Sequence, residues 1–163
     1  MPPTDFRAIV SCLTNAKVDY IVVGGLAAVL NGAPIATFDT DIVHSKEQAN
    51  LSRLLSALET LDAFFRTQPD RRLRPNLSHL SGSGHLNLMT RCGPLDVLTE
   101  IGNHLSYIDL LSRSTEMQID SDLSVRVLSL EALIELKEKL DGDKDRAVLP
   151  VLRQALAENR RRP

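Results

Sequence analysis

Thr37-Phe38-Asp39-Thr40-Asp41-Ile42-Val43 sets two carboxylates two residues apart among apolar neighbours. Side chains at i and i+2 of a strand share a face, so Asp39 and Asp41 are expected to project together, ~6.6 Å apart along the backbone. Phe38, Ile42 and Val43 suit a half-buried strand, expected over about 37–43 after Pro34. Two carboxylates converging at a strand end repel each other unless a cation or a proton comes between them. A hard divalent ion, Mg²⁺ or Mn²⁺, resolves that conflict, because carboxylate oxygens suit such ions and not soft metals. Standing alone, the pair would equally suit a solvated strand end.

It does not stand alone. Tyr20-Ile21-Val22-Val23 reads as a buried strand that stops at Gly24-Gly25, before a short helix over 26–30 closed by Asn31-Gly32. Glycine there lets backbone approach a phosphate, and a helix N-terminus offers unpaired N–H donors. The segment is neither a Walker loop, since Ala33-Pro34 follows Gly32, nor a dinucleotide fingerprint, since GxGxxG is absent. A third carboxylate, Asp96, lies in Gly93-Pro94-Leu95-Asp96-Val97-Leu98, an apolar strand pattern. Three in-strand aspartates can hold two metals ~3.5–4 Å apart for in-line phosphoryl displacement. Lys137 falls on the apolar stripe Leu130, Leu133, Ile134, Leu140 of a helix, where a lysine must snorkel or meet an anion.

Around this centre the chain alternates helices and strands. Phe6, Ile9, Val10 and Leu13 have helical spacing, with Thr4 or Asp5 as cap. Ser45 and Gln48 form a capping-box pattern ahead of the stripe Leu51, Leu54, Leu55, Leu58, Leu61. Residues 66–84 read as a partly basic loop, followed by a hairpin over 86–90 and 95–100, a helix at 107–111 and a hairpin over 116–119 and 125–127. Two helices close the chain, at 130–140 and about 145–158, with Pro150 expected to kink the second or delay its start. This order argues an α/β or α+β domain.

Composition sets bounds. The chain has 163 residues, 43% hydrophobic and 25% charged, which excludes a disordered polymer. Nineteen Lys and Arg face 21 Asp and Glu, a net charge of -2, so bulk attraction to nucleic acid is not built in. Cys12 and Cys92 are far apart without a CxxC pair, which excludes a disulfide framework or thiolate zinc site and suits the cytoplasm. No signal-peptide pattern opens the sequence, and no apolar stretch approaches the ~20 residues of a spanning helix, so no membrane partner is expected. His44, His79, His85 and His104 lack metal-ligand spacing, although His44 and His85 are candidates to line a cleft.

Taken together, Gly24-Gly25, Gly32, Thr37, Asp39, Asp41 and Asp96 resemble the nucleotidyltransferase superfamily with the DNA polymerase β fold. Lys137 and the pair Lys144-Asp145 resemble its small bacterial minimal and AbiEii-like members. The resemblance covers about 18–156. It implies a single domain over 1–163, with a catalytic core at about 18–101, a mixed sheet flanked by helices, and a C-terminal helical pair at about 129–160. It implies transfer of a nucleoside monophosphate from a nucleoside triphosphate to a hydroxyl, with Mg²⁺ or Mn²⁺ on Asp39, Asp41 and Asp96. Gly24, Gly25, Thr37 and Lys137 would bind the nucleotide. The acceptor would be a protein, a tRNA end or a small molecule, and the partner a second copy or a toxin. A non-catalytic module or toxin–antitoxin component of the same fold is the alternative. Relatives carry Arg where this chain has Ile35, and Arg71, Arg72 and Arg74 are the candidates to replace its charge.

Overall fold

The computed structural model describes residues 3–162. Helix α1 (Phe6–Asn15) is capped by Asp5, whose carboxylate accepts from Ala8 N at 3.0 Å. Thr4 instead donates from Oγ1 to Phe38 O at 2.7 Å, pinning the segment ahead of the second strand. Strand β1 (Tyr20–Val23) is buried along its whole length, and α2 (Gly24–Leu30) starts directly at its end. Gly24 and Gly25 therefore form the first turn of the helix, not a separate turn before it.

Strand β2 (Thr40–His44) begins three residues later than the aspartate pattern suggests, leaving Asp39 outside it. The register gives the reason. Val23 pairs with Asp41, and the chain then turns into α2, so β1 has no residue left to pair with Asp39. On the other side the next ladder position is Pro94, which has no N–H to donate.

Helix α3 (Gln48–Thr60) lacks the expected capping box: Glu47 precedes it without a side-chain cap, and Ser45 Oγ accepts from Glu47 N at 3.3 Å. Asn50, fully buried, ties this corner together. Its Oδ1 accepts from Asp19 N at 2.7 Å, and its Nδ2 donates to Asp19 O at 3.1 Å and Ser45 O at 2.9 Å.

The loop over 66–84 is more ordered than its composition suggests. It follows β3 (Phe64–Phe65) and contains a 3-10 turn at Pro69–Arg71 and α4 (Leu77–Ser81). Strands β4 (His85–Thr90) and β5 (Gly93–Leu98) form the expected hairpin. A small separate hairpin, β6 (Glu100–Ile101) and β7 (Leu105–Ser106), leads to α5 (Tyr107–Leu111). Strands β8 (Ser114–Asp120) and β9 (Leu123–Leu128) follow, then α6 (Leu130–Leu140) and α7 (Asp143–Arg161). Pro150 lies inside α7, which begins ahead of it, so the proline does not delay the start.

Seven strands form one mixed sheet in the order β3-β4-β5-β2-β1-β9-β8. The pairs β1–β9 and β2–β5 are parallel and the rest antiparallel. Alternation along β1 puts Tyr20 on the face opposite Val23. The Tyr20 hydroxyl donates to Val10 O at 3.1 Å, which places α1 over that opposite face. Helix α6 covers the Val23 face, and the C-terminal pair is tied down by two asparagines. Asn31 Nδ2 donates to Leu128 O at 3.0 Å, and Asn159 Nδ2 donates to Asn31 O at 2.7 Å. Among the described residues, no helix is long and apolar enough to cross a membrane.

The Asn50 staple makes a stability prediction. Asn50→Ala removes three hydrogen bonds from a fully buried side chain to backbone and is expected to cost about 2–3 kcal/mol. At ~2–4 °C per kcal/mol for a chain of this size, thermal denaturation should show a Tm lowered by at least ~4 °C. An unchanged Tm would show that the corner is held by other contacts.

Candidate active site

Asp41 on β2 and Asp96 on β5 are direct register partners on neighbouring parallel strands. Directly paired residues share a face, and adjacent strands lie ~4.8 Å apart, so the two carboxylates meet over the sheet. Asp41 Oδ1 is buried without a hydrogen-bond partner. Asp96 Oδ1 lies 2.7 Å from Arg66 Nη1, close enough for charge pairing. The N–H is not aimed at that oxygen, so it too lacks a hydrogen bond. Burial pushes the Asp41 carboxyl up to about 7. A hydrogen bond to Asp96, which only a protonated acid can make, and repulsion from Asp96 and Asp39 act in the same direction, while Arg66 opposes them.

The start of α2 is shaped around this pair. Gly24 has φ +63°, and a Cβ there would collide with Asp41 Oδ2. A Cβ on Gly25 would lie 2.6 Å from Thr37 Oγ1. The missing side chains let Asp41 and Thr37 pack directly against the start of α2, and Thr37 donates from Oγ1 to Asp39 O at 3.4 Å. Asp39 is half-exposed just ahead of the strand, close enough for its charge to act on Asp41. Among the described residues no three His, Cys, Asp or Glu side chains are grouped to hold a metal ion. The β2–β5 ladder aligns Asp41 with Asp96, and Asp39 precedes that ladder.

Lys137 reaches the site from α6. A cleft of about 160 Å³ is lined by Gly24, Asp41, Leu98, Leu133 and Lys137. At Gly102, Leu136 and Leu140 it adjoins a cavity of about 370 Å³ bounded by Asn103, Leu105 and Lys139. The Lys137 amine is not free, since Nζ lies 3.3 Å from Asp145 Oδ1 on α7. A larger cavity of about 460 Å³, between α1 and α3, contains none of the expected site residues.

Arg66 is the site residue that the sequence did not single out. Its neighbours in the same loop are engaged elsewhere. Arg74 pairs with Asp62, Arg72 lies 4.6 Å over the Phe64 ring, and Arg71 donates to Gln68 Oε1 at 3.0 Å. Arg66 follows a two-residue strand, too short for any periodicity to show which face it takes. The histidines divide. His44 is buried on the opposite face from Asp41, its Nδ1 3.0 Å from Ser45 O, and burial lowers its pKa; it does not line the cleft. His85 is exposed at the start of β4.

A buried, unpartnered Asp41 oxygen facing Asp96 and an all-oxygen donor set beside a cleft fit a hard divalent cation.

A solved structure of a candidate nucleotidyltransferase from Thermotoga maritima aligns with 93% of this chain and 90% of its own. The TM-score is 0.56 and the sequence identity 21%. The chain has that fold. Within the nucleotidyltransferase fold, the paired strands β2 and β5 carry the carboxylates and α6 closes over them. No protein-family profile matches the chain, and no curated protein does.

The carboxylate pair makes a pH prediction. The Asp41 value lies above its ordinary 3.8, so the folded protein holds a proton that the unfolded chain releases. Stability from this group is present below about pH 4 and is lost as pH rises to about 7. In a chelator, Asp41→Asn should match the parent near pH 4 and exceed it above pH 7 by ~1–3 kcal/mol, allowing for partial exposure. Urea denaturation at the two pH values measures this, and a variant weaker at pH 8 would show that the ionised pair is stabilising.

Proposed function

We propose that this protein is a metal-dependent nucleotidyltransferase that moves a nucleoside monophosphate from a nucleoside triphosphate to a hydroxyl. One observation carries the reading: two facing carboxylates with unpartnered buried oxygens, on the nucleotidyltransferase fold. Such a pair is poorly stable empty and well suited to a cation.

Asp39, Asp41 and Asp96 would hold Mg²⁺ or Mn²⁺. The ion would supply Lewis-acid stabilisation of phosphoryl oxygens. The backbone of Gly24 and Gly25 at the start of α2 would receive the phosphates beside Asp41, with Thr37 packed against the same turn. Lys137, leaving Asp145, would neutralise triphosphate charge, with the nucleoside running toward Leu136 and Leu140. Asp96 lies on the other side of Asp41 from Gly24 and would take the proton of the acceptor hydroxyl. The acceptor oxygen forms a bond to the α-phosphorus, the bond from that phosphorus to the bridging oxygen breaks, and pyrophosphate leaves. Positioning and charge do the work, without a protein nucleophile. We place the protein among small bacterial minimal and AbiEii-like enzymes of the cytoplasm, on the strength of Lys137 with Lys144-Asp145 and of two free cysteines.

A second reading is favoured by the ion pairs. Arg66 on Asp96 and Lys137 on Asp145 internally neutralise the groups a substrate would use. Together with Ile35 and the outlying Asp39, this suits a non-catalytic binding module or toxin–antitoxin component.

Ligand-induced stabilisation separates the two. A ligand at a hundredfold excess over Kd adds about 2.7 kcal/mol, which is roughly 5–10 °C in Tm here. At least one nucleoside triphosphate with Mg²⁺ or Mn²⁺ should produce such a shift, and the same triphosphate with chelator much less. The absence of any shift at millimolar triphosphate with either metal would favour the binding module. Lys137→Met should weaken the nucleotide-induced shift; a shift of unchanged size would confine Lys137 to its pair with Asp145.

A further inference from the structure

One line of register crosses the sheet at the level of the carboxylates. Val23 pairs with Asp41, Asp41 with Asp96, and Asp96 with Asn87. Arg66 extends the line, its backbone N donating to Asn87 O at 3.1 Å. Paired positions share a face, so Asp41, Asp96, Asn87 and Arg66 form a polar row. With ~4.8 Å between strands, Arg66 sits roughly 14 Å from the Asp41 strand, beyond Asp96. Gly24 and Lys137 border Asp41 at the other end of the row. The two cations of the site are therefore on opposite sides of the carboxylate pair.

Arg66 is held in place but not saturated. Its Nη1 donates to Leu88 O at 2.9 Å and lies 2.7 Å from Asp96 Oδ1. Its Nε and Nη2 make no hydrogen bond to the described residues. The side chain is 27% exposed, so the guanidinium edge is open to a ligand. Planar guanidinium donors match an oxyanion in a two-pronged fashion.

We propose that Arg66, with Asn87 beside it, is the anchor of the acceptor: the hydroxyl that attacks is carried on a molecule bearing a phosphate group, and Arg66 binds that phosphate. This rests on the nucleotidyl-transfer reading, which puts the triphosphate at Gly24 and Lys137 and so leaves Arg66 to the acceptor. An anion at Arg66 also shares the guanidinium with Asp96, which loosens the ion pair as the acceptor arrives.

The test holds the nucleotide site full with Mg²⁺ and a non-hydrolysable triphosphate analogue, then titrates three probes. They are a nucleoside, its 5′-monophosphate, and a dinucleoside monophosphate with a free 3′-hydroxyl. Both phosphate-bearing probes should bind about ten- to hundredfold more tightly than the nucleoside, as charge-assisted bonds to one guanidinium allow. If only the dinucleotide gains, the phosphate belongs to a nucleic-acid end; if both gain equally, a free nucleotide suffices. Arg66→Gln should abolish the advantage and Arg66→Lys restore part of it, with the analogue-induced melting shift retained in both. Equal binding of all three probes by the parent protein overturns the proposal without recourse to any variant. So does an advantage that survives in Arg66→Gln, or a folded Arg66→Gln that no longer responds to the analogue. A parent protein that the analogue does not stabilise at all overturns the nucleotidyl-transfer reading itself, and the acceptor assignment with it.

Discussion

Two carboxylates in register on adjacent parallel strands are an arrangement that the sheet enforces and electrostatics resists. Asp41 and Asp96 cannot separate without shifting β2 against β5, and a one-residue slip would move every buried side chain of the shifted strand to the opposite face of the sheet. Burial of Ile42, Val43, Leu95 and Val97 on both faces of the sheet fixes the register that holds the acids together against their repulsion. The conflict is met by a raised affinity for a proton at Asp41 and by a guanidinium at Asp96. A divalent cation would meet it more fully.

Much of the surrounding architecture accommodates that pair. Gly24 is required twice, by its positive φ and by the Asp41 oxygen against its missing side chain. Gly25 yields to Thr37 in the same way. Helix α6 delivers Lys137 over Asp41, while β3 delivers Arg66 to Asp96 from the far edge of the sheet. Each cation has its own internal acid or carbonyl. A substrate at this site would have to displace or share those pairs.

Legibility in the sequence followed the length and regularity of each element. The β1 run, the α3 stripe, the β4–β5 hairpin and α6 were all visible, because their apolar spacing is set by burial on one face. Boundaries were less visible where a partner decides them. Asp39 looked like a strand residue, but strand pairing needs a neighbour, and β1 ends at Val23 opposite Asp41. Ser45 and Gln48 looked like a capping box, but buried Asn50 takes over Ser45 O and sets that corner through long-range bonds.

From residues alone came the double glycine at a strand end, the spacing of Asp39 and Asp41, the in-strand Asp96 and the misplaced Lys137 on an apolar stripe. Those are local properties, since residue type and period decide which side chains share a face. Register across the sheet is not local. Only the tertiary structure decided that Asp41 faces Asp96 while Asp39 precedes their ladder, and that Lys137 meets Asp145. It alone chose Arg66 from a loop of arginines, because a two-residue strand gains its position entirely from pairing with β4.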